Sequence, residues 1–539
     1  MFMFKSKYWL IPLLLIPIIL TNCAKRGTIT GGPKDTLAPV MTSSVPKNFE
    51  TNFKGNSIKI NFNEYIKIKD ANKQVIVSPP LKNNLKIVPQ GGASKDITIS
   101  FSDTLQANTT YSINFGQSIV DNNEENPYTA FKYVFSTGDA IDSLQVKGGL
   151  SDALSNVTDK NVTVMLYPAE TFTDSTIYKQ TPYYLTNTLE YGSEFEIGNV
   201  KEGAYYLVAV KDENKNNIFD PNQDKIAFNP KPIQLPKDSL YTLTLFKEQL
   251  EYAVKRPVQL ANNKVNFGVV ASDYNDFKVE TELNGEKSET RFTKIVDKDS
   301  IQLWLPKIDI KNDSIQINVS NKGIVKTQKL KLKSMKTADT LQINIPKSNS
   351  LNFRDSFKIQ VNTPIEKFDA TKVVLTKKDS TALAFTSSVK KLENQIVFDF
   401  EKEENQAYNL TVLPGAISDF YGFKNDTLQT TLTTKQYSDY GNLILSFTNP
   451  ESFPFIIQLL DEKEKMVYEA YSENKLSFEF NAIDPKKYMV RVIYDTDKNK
   501  EWTTGSYLEK RQPEKVFYFP ALLDVRANWD VNQTINLAE

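Results

Sequence analysis

The segment Ile58-Lys59-Ile60-Asn61-Phe62 alternates apolar and polar residues with a period of two. The segment Ile97-Thr98-Ile99-Ser100-Phe101 repeats the same pattern later in the chain. Such alternation is typical of a β-strand with one face buried and the other face in solvent. Together the two segments favour a sheet with one apolar face.

Further short strands surround this pair. Val75-Ile76-Val77 runs into Ser78-Pro79-Pro80, which is a natural end for a strand. Their spacing predicts a β-sandwich of about 100 residues, which we place at residues 38–138. Thr, Asn, Ile, Val, Tyr and Phe are plentiful throughout the chain and long helical patterns are missing. The whole chain is therefore predicted to be all-β, with tandem β-sandwich domains.

Four segments of the first sandwich resemble the bacterial Ig-like domain first described in S-layer proteins: Asn61-Phe62-Asn63-Glu64-Tyr65, Asn108-Thr109-Thr110-Tyr111, Ile119-Val120-Asp121 and Phe135-Ser136-Thr137-Gly138. Cys23 followed by Gly31-Gly32-Pro33-Lys34-Asp35 is similar to the opening of Bacteroidota envelope lipoproteins that begin with this domain. The resemblance extends over residues 23–240. It implies an architecture and an envelope location, and it supplies no catalytic residues.

Residues 141–248 resemble transthyretin-like or carboxypeptidase-regulatory-like sandwiches, with strand patterns such as Val162-Thr163-Val164-Met165-Leu166-Tyr167. This unit recurs near the carboxyl end. Phe478, Ile483, Tyr488 and Asp495 match Phe195, Val200, Tyr205 and Asp212 in one register of 283 positions. A common register over aromatic, aliphatic and acidic positions predicts two copies of one module.

The Ig-like pattern also recurs, more loosely, in Phe357-Lys358-Ile359-Gln360-Val361 and Ile417-Ser418-Asp419. The chain is too long for one hydrophobic core, and we predict several domains. The predicted order is a lipoprotein signal peptide (1–22), a flexible tether (23–37), an Ig-like domain (38–138), a transthyretin-like sandwich (141–248), a β-rich middle domain (249–345), a second Ig-like domain (346–436) and a second transthyretin-like sandwich (437–539).

The predicted anchor is Cys23, the only cysteine of 539 residues. A basic start and an apolar run that ends at Leu20 precede it, as in a lipobox whose cysteine becomes the lipidated first residue. The run is shorter than the roughly 20 residues of a membrane span. A plain secretory peptide is the alternative, because Asn22 stands where a small residue is usual. Several acyl chains on Cys23 would hold the protein stably on the outer membrane.

Composition excludes several function classes. The formal net charge is zero, so no strong field attracts nucleic acid, and we expect no nucleic-acid partner. The absence of histidine excludes Ser-His-Asp catalysis and His-ligated zinc. One cysteine allows no intrachain disulfide. Chemistry based on carboxylates, Lys, Tyr or Ser stays open.

Two polar loops are the candidate metal sites. Asp212, Asn214, Asn216 and Asp220 occupy the first, third, fifth and ninth places of a calcium-loop spacing, and Ca²⁺ is the one candidate cofactor. Asn217 replaces the turn glycine of that spacing and Gln223 replaces its bidentate Glu. The later loop offers Asp495, Asp497 and Asn499, with Ser506 in the last place. The alternative is an Asx-rich turn capped by its own side chains.

Two other groups of residues invite a functional interpretation. Asp121, Glu124 and Glu125 form an acidic cluster, which we interpret as solvated rather than catalytic. The aromatic residues Tyr183-Tyr184, Tyr205-Tyr206, Trp304 and Trp502 could build a sugar-stacking platform or a protein-binding patch, although core filling suits most of them. Trp502 is the candidate binding residue, because it lies in a loop rich in charge.

These features favour a non-catalytic, lipid-anchored outer-membrane scaffold or accessory subunit that binds another outer-membrane protein, such as a barrel complex for assembly, secretion or uptake. A glycan-binding surface lipoprotein is the alternative. A carboxylate-based glycosidase ranks last, because no domain resembles a catalytic barrel. The segment Ala24-Lys25-Arg26 lacks an acidic run that would mark surface export, which favours a position facing the periplasm.

Overall fold

The computed structural model describes residues 34–538 apart from 84, 130, 189–191, 238–239, 272–273, 275, 297, 308, 311–312 and 347–349. The predicted signal peptide, Cys23 and most of the predicted tether lie outside these residues. At the described end of the tether, the side-chain amide of Asn126 donates to the carbonyl oxygens of Asp35 and Leu37 at 3.0 and 3.2 Å.

The chain forms two compact units, Met1–Asp142 and Ser143–Glu539. Module 1 (residues 34–142) is the described part of the first unit. It contains one helical turn at Ala71–Gln74. Its strands are β1 (Met41–Val45), β2 (Ser57–Ile68), β3 (Ile76–Ser78), β4 (Lys86–Val88), β5 (Ser94–Ser100), β6 (Thr110–Asn114), β7 (Ile119–Asp121) and β8 (Lys132–Ser136).

Module 1 is a two-sheet sandwich. One sheet has the order β1-β2-β5-β4, with β7 paired to the end of β2, and the other has the order β3-β6-β8. Alternation along β2 turns Ile58, Ile60 and Phe62 into the core, whereas Lys59 is exposed. The sandwich predicted from this alternation is therefore confirmed, and so is the all-β class of the whole described chain.

Module 2 (residues 143–248) opens the second unit and has a short 3-10 helix at Thr176–Tyr178. Its strands are β9 (Leu144–Asp152), β10 (Thr163–Pro168), β11 (Tyr184–Asn187), β12 (Glu194–Val200), β13 (Gly203–Lys211), β14 (Lys225–Phe228), β15 (Ile233–Leu235) and β16 (Leu240–Leu245). They form a sheet of order β12-β9-β16 and a sheet of order β11-β10-β13-β14, in which β15 also pairs with β13. The core lies between the two sheets.

Module 3 (residues 249–340) is a sandwich of two further sheets, β17-β19-β23-β22 with β18 on β19, and β21-β20-β24-β25. Its strands are β17 (Ala253–Val254), β18 (Val258–Ala261), β19 (Lys264–Val270), β20 (Lys278–Leu283), β21 (Glu286–Lys287), β22 (Arg291–Lys294), β23 (Ser300–Trp304), β24 (Ser314–Asn321) and β25 (Ile324–Lys331).

Module 4 (residues 341–436) repeats the strand order of module 1. Its strands are β26 (Ile343–Asn344), β27 (Phe357–Val361), β28 (Ile365–Phe368), β29 (Val373–Lys377), β30 (Thr386–Lys390), β31 (Gln395–Asp399), β32 (Ala407–Val412), β33 (Ile417–Asp419) and β34 (Leu428–Thr433), with a 3-10 turn at Ala370–Lys372. The sheets are β26-β27-β31-β30, β29-β32-β34 and the pair β28-β33. Because β26 pairs with β27, residues 343–344 belong to this core, although the predicted middle domain extended to residue 345.

Module 5 (residues 437–538) has the strand order of module 2. It begins with a 3-10 turn at Tyr437–Asp439. Its strands are β35 (Gly441–Thr448), β36 (Phe455–Leu460), β37 (Met466–Ser472), β38 (Ser477–Ile483), β39 (Lys486–Tyr494), β40 (Val516–Tyr518), β41 (Leu523–Val525) and β42 (Asp530–Asn536). The sheets are β38-β35-β42 and β37-β36-β39-β40 with β41 on β39. The parallel pairs β9–β16 and β35–β42 close the two modules in the same way.

Candidate functional site

The first polar loop begins where β13 ends. Asp212 follows the last residue of this strand and is 9% exposed. Its Oδ2 atom accepts the backbone N–H of Asn217 at 2.6 Å, which turns the carboxylate toward the loop that follows. Its Oδ1 atom is buried and accepts no hydrogen bond from the described residues. Such an oxygen has lost its hydration without gaining a donor, which is unfavourable.

A second carboxylate closes the same loop from its far end. Asp224 is fully buried; its Oδ1 accepts the N–H of Glu213 at 3.0 Å and its Oδ2 accepts the N–H of Asp220 at 2.8 Å. The calcium-loop spacing missed Asp224, because that spacing expects the closing carboxylate at Gln223, one position earlier. Allowing one extra residue in the loop would have found it.

The other predicted calcium ligands lie elsewhere in the loop. Asn214 and Asn216 are exposed, and Asn216 Oδ1 accepts a backbone N–H two residues on at 2.8 Å. Asp220 Oδ1 accepts the N–H two residues on at 2.9 Å, and this bond holds the pKa of Asp220 below its usual value. The carboxylates of Asp212 and Asp224 therefore both accept backbone N–H groups within residues 213–220, whereas the carboxylate of Asp220 accepts one from the turn that follows.

The second polar loop holds three carboxylates close together. Oxygen atoms of Asp495, Asp497 and Glu514 lie within 4.8 Å of one another. All six of their oxygens accept hydrogen bonds, and the donors are groups of Tyr471, Thr496, Asp497, Asn499, Lys500 and Thr503. Ser506 lies apart, in a bridge with Arg511.

Both loops are closed by the same three hydrogen bonds. The first aspartate, Asp212 or Asp495, accepts the N–H of the residue five positions later. The closing carboxylate accepts two further backbone N–H groups, which lie one and eight positions after the first aspartate. In the first loop Asp224 accepts those of Glu213 and Asp220. In the second loop Glu514 accepts those of Thr496 and Thr503. Asp224 and Glu514 are thus equivalent, although they stand at different distances along the chain.

The second polar loop also contacts module 2. Tyr507 is 2% exposed and packs edge-to-face on Phe228 and Tyr178, with ring centroids 5.3 and 6.0 Å apart. Its backbone N–H donates to Glu248 Oε1 at 2.6 Å. Burial raises the pKa of Glu248, and the N–H of Tyr507 partly offsets that rise.

The receiving surface is the outer face of the five-stranded sheet of module 2. It consists of buried apolar side chains that alternate with the core residues of the same strands, chiefly Met165, Tyr167, Val208, Val210, Ile226 and Phe228. Both faces of β10 are therefore covered. This double burial explains the uninterrupted apolar run along that strand, since a strand buried on one face only would alternate.

Trp502, the predicted binding residue, lies at the edge of this cluster. Its side chain is half-buried against module 2, and its indole N–H donates to the carbonyl oxygen of Glu514 at 3.2 Å. Gly505 approaches module 2 closely: a Cβ atom there would lie 2.6 Å from the ring of Phe246. The loop therefore needs glycine at this position to reach the sheet.

A reciprocal contact runs from module 2 to module 5. The carbonyl oxygen of Leu154 accepts Arg491 Nη1 at 2.9 Å and the hydroxyl of Tyr518 at 2.6 Å. Arg491 is buried, and its Nε donates to Gln458 Oε1 at 2.8 Å. The buried guanidinium of Arg491 thus donates hydrogen bonds to acceptors in both modules, Leu154 in module 2 and Gln458 in module 5.

The acidic cluster of module 1 serves the backbone. Asp121 is buried, and its two oxygens accept the four consecutive N–H groups of residues 123–126. Burial raises the pKa of Asp121, but these hydrogen bonds outweigh it and hold the pKa below its usual value. Glu125 is paired with Lys69. The carboxylate of Asp121 therefore fixes a turn.

Most of the aromatic residues considered either as a platform or as core filling lie in or against hydrophobic clusters. Trp304 is fully buried and donates from Nε1 to Thr293 Oγ1 at 3.1 Å, and Tyr184 and Tyr205 pack within module 2. The exposed tryptophan of the described residues is instead Trp529, at 59%. The sequence pattern that could have indicated this exposure is the preceding segment Arg526-Ala527-Asn528, which contains two polar residues.

The family model of the bacterial Ig-like domain matches residues 35–137. Module 1 matches this family. The predicted bacterial Ig-like domain is confirmed by this match. Its bounds at residues 38–138 and the transthyretin-like and lipoprotein assignments stay predictions. No match was found among curated proteins.

Solved structures with tandem domains are similar to the chain at low identity. Titin domains A168–A170 are 13% identical, covering 45% of this chain and 91% of theirs, with a TM-score of 0.14. The mixed-linkage glucan utilization protein SGBP-B of Bacteroides ovatus is 10% identical, and the match covers 72% of this chain and 94% of SGBP-B with a TM-score of 0.16. Dscam is 8% identical, and the match covers 92% of this chain and 99% of the Dscam chain with a TM-score of 0.16. No function follows from scores this low.

Among the described residues, no helix has the length and apolar character needed to cross a membrane.

Proposed function

We propose that the chain is a non-catalytic, lipid-anchored outer-membrane protein that acts as a scaffold or accessory subunit for other envelope proteins, such as an outer-membrane barrel complex. The observation that supports this most is the docking of module 5 on module 2. It joins the first and last modules of the second unit through apolar rings and the buried Arg491. Because modules 2 and 5 are held together in this way, they can present surfaces in a fixed arrangement to a protein partner, as a scaffold requires.

The use of the buried carboxylates supports a non-catalytic function. Asp121, Asp495 and Glu514 accept hydrogen bonds from their own loops. A general acid or base needs a carboxyl group that faces a substrate. These three groups instead stabilise turns.

A contact residue for a partner is available in module 5. Trp529 is 59% exposed, and the guanidinium of Arg526 lies 5.4 Å from its ring centroid. Tryptophan and arginine are enriched among the residues that dominate binding energy at interfaces. We therefore place the partner surface around this pair.

Extraction of the tagged chain from membranes in mild detergent, followed by quantitative mass spectrometry, tests the proposal. We expect one integral outer-membrane protein at stoichiometric yield. Trp529→Ala should lower its recovery, whereas Leu240→Ala, which removes another exposed apolar side chain, should not. Recovery of the chain alone would contradict a scaffold.

Glycan binding is a second candidate, because the exposed ring of Trp529 could stack on a sugar. A glycan array should then show binding that disappears in Trp529→Ala and persists in Trp304→Phe, whose ring is buried. Binding that is equal in both variants would contradict stacking at Trp529.

The anchor is tested separately. Mass spectrometry of the mature amino-terminal peptide should show acyl chains on Cys23, and an unmodified cysteine would refute the anchor. Protease treatment of whole cells should leave a periplasm-facing protein intact. Degradation would place it on the cell surface.

A further inference from the structure

The two polar loops differ in one respect that bears on metal binding. In module 5, Asp495 Oδ1 accepts the N–H of Asn499 at 3.0 Å, and its Oδ2 accepts a hydroxyl and another N–H. In module 2, the equivalent Asp212 is more than nine-tenths buried, but its Oδ1 accepts no hydrogen bond from the described residues. Among the described residues, every carboxylate oxygen of the module 5 cluster thus accepts a hydrogen bond, whereas the module 2 loop keeps one buried carboxyl oxygen that accepts none.

The matching hydrogen bonds show which positions of the two loops are equivalent. Because both loops are closed by the same three bonds, Asp224 takes the place of Glu514. The common register of 283 positions gives Asn214 the place of Asp497. In module 5 the three equivalent side chains bring oxygens within 4.8 Å of one another. The equivalent positions in module 2 carry the carboxylates of Asp212 and Asp224 and the amide of Asn214.

We propose that module 2 binds one Ca²⁺ ion with Asp212, Asn214 and Asp224 as its side-chain ligands. No donor from the part of the chain that the structure describes competes for Asp212 Oδ1. Each oxygen of Asp224 accepts a single N–H and keeps a lone pair for a cation. This set revises the spacing-based one, since Asp224 replaces Asp220.

The chemistry of the donors selects the metal. Carboxylate and amide oxygens suit hard cations, and the described residues contain neither histidine nor cysteine to favour a transition metal. Ca²⁺ tolerates an irregular oxygen shell, whereas Mg²⁺ demands a nearly ideal octahedron. Lys247 lies close, with Nζ 3.1 Å from the carbonyl oxygen of Asp224, and offsets part of the negative charge. Two carboxylates and a nearby ammonium predict weak binding, with a Kd of about 10⁻⁴–10⁻³ M.

Equilibrium dialysis of the full chain in detergent against radioactive Ca²⁺ tests the site. We expect one ion per chain, about tenfold weaker binding in Asp212→Asn, and unchanged binding in the matched variant Asp495→Asn. Circular dichroism in the absence of calcium shows whether each variant is folded. A chain that takes up no ion at about 10 mM Ca²⁺ would overturn the proposal, as would loss in Asp495→Asn alone.

A gain-of-function variant keeps the test decisive if Asp212→Asn fails to fold. Asn214→Asp gives module 2 the carboxylate that module 5 carries as Asp497, and the added charge should tighten Ca²⁺ binding about tenfold. Lys498→Gln, placed in the module 5 loop, lowers the net charge by the same single unit away from the proposed site and should leave Ca²⁺ binding in module 2 unchanged. Equal affinity of Asn214→Asp and the unmodified chain would contradict the ligand set.

Discussion

Removal of the Tyr507 hydroxyl is predicted to increase stability, although most substitutions of buried residues decrease it. The ring is buried between the modules, but its hydroxyl oxygen is buried without a hydrogen-bond partner among the described residues. An unpaired buried hydroxyl costs about 1–3 kcal/mol, so Tyr507→Phe should raise the free energy of local opening by about 1 kcal/mol. Tyr507→Ala also removes the ring and should lower that free energy by about 3–5 kcal/mol.

The matched control is Tyr440, which is equally buried but donates its hydroxyl to Asn352 Oδ1 at 3.0 Å. Tyr440→Phe should therefore lower stability by about 0.5–1.5 kcal/mol. Hydrogen exchange measured by mass spectrometry on peptides from residues 437–518 reports the free energy of local opening at both sites. If Tyr507→Phe loses stability as Tyr440→Phe does, the hydroxyl of Tyr507 has a partner and the reasoning fails.

Three further outcomes are expected. Gly148→Ala should destabilise module 2 by about 1–3 kcal/mol, because its Cβ would lie 2.0 Å from the carbonyl oxygen of Tyr241; Gly149→Ala, with no atom within 4 Å, should be tolerated, as thermal unfolding will show. Gly505→Ala should speed hydrogen exchange in β13 and β14, since the added methyl pushes the loop off module 2; unchanged exchange would mean that the loop adapts. The depressed pKa of Asp121 stabilises module 1 above the unfolded-state pKa of about 3.9, and this stability is lost as pH falls through the lower folded-state pKa; acid titration should show a weaker pH dependence in Asp121→Asn.

The candidate metal site shows how far local patterns reach. The spacing from Asp212 identified the loop, because alternating oxygen ligands are a property of neighbouring residues. It missed Asp224, since the closing carboxylate is selected by which backbone N–H groups the folded loop turns inward. It also could not show that Asp212 Oδ1 lacks a donor among the described residues where both oxygens of Asp495 have one, because those donors are brought in by folding.

The sequence by itself determined the all-β class, the sandwich of module 1 and the relation between modules 2 and 5. Period-two alternation and a common register are encoded in residues close together or at a constant offset. Only the tertiary structure decided that the loop of Tyr507 covers the outer sheet face of module 2, that Trp304 is core and that Trp529 is exposed. Each of these depends on which surfaces meet across long separations in the chain, and that choice is made by packing rather than by local pattern.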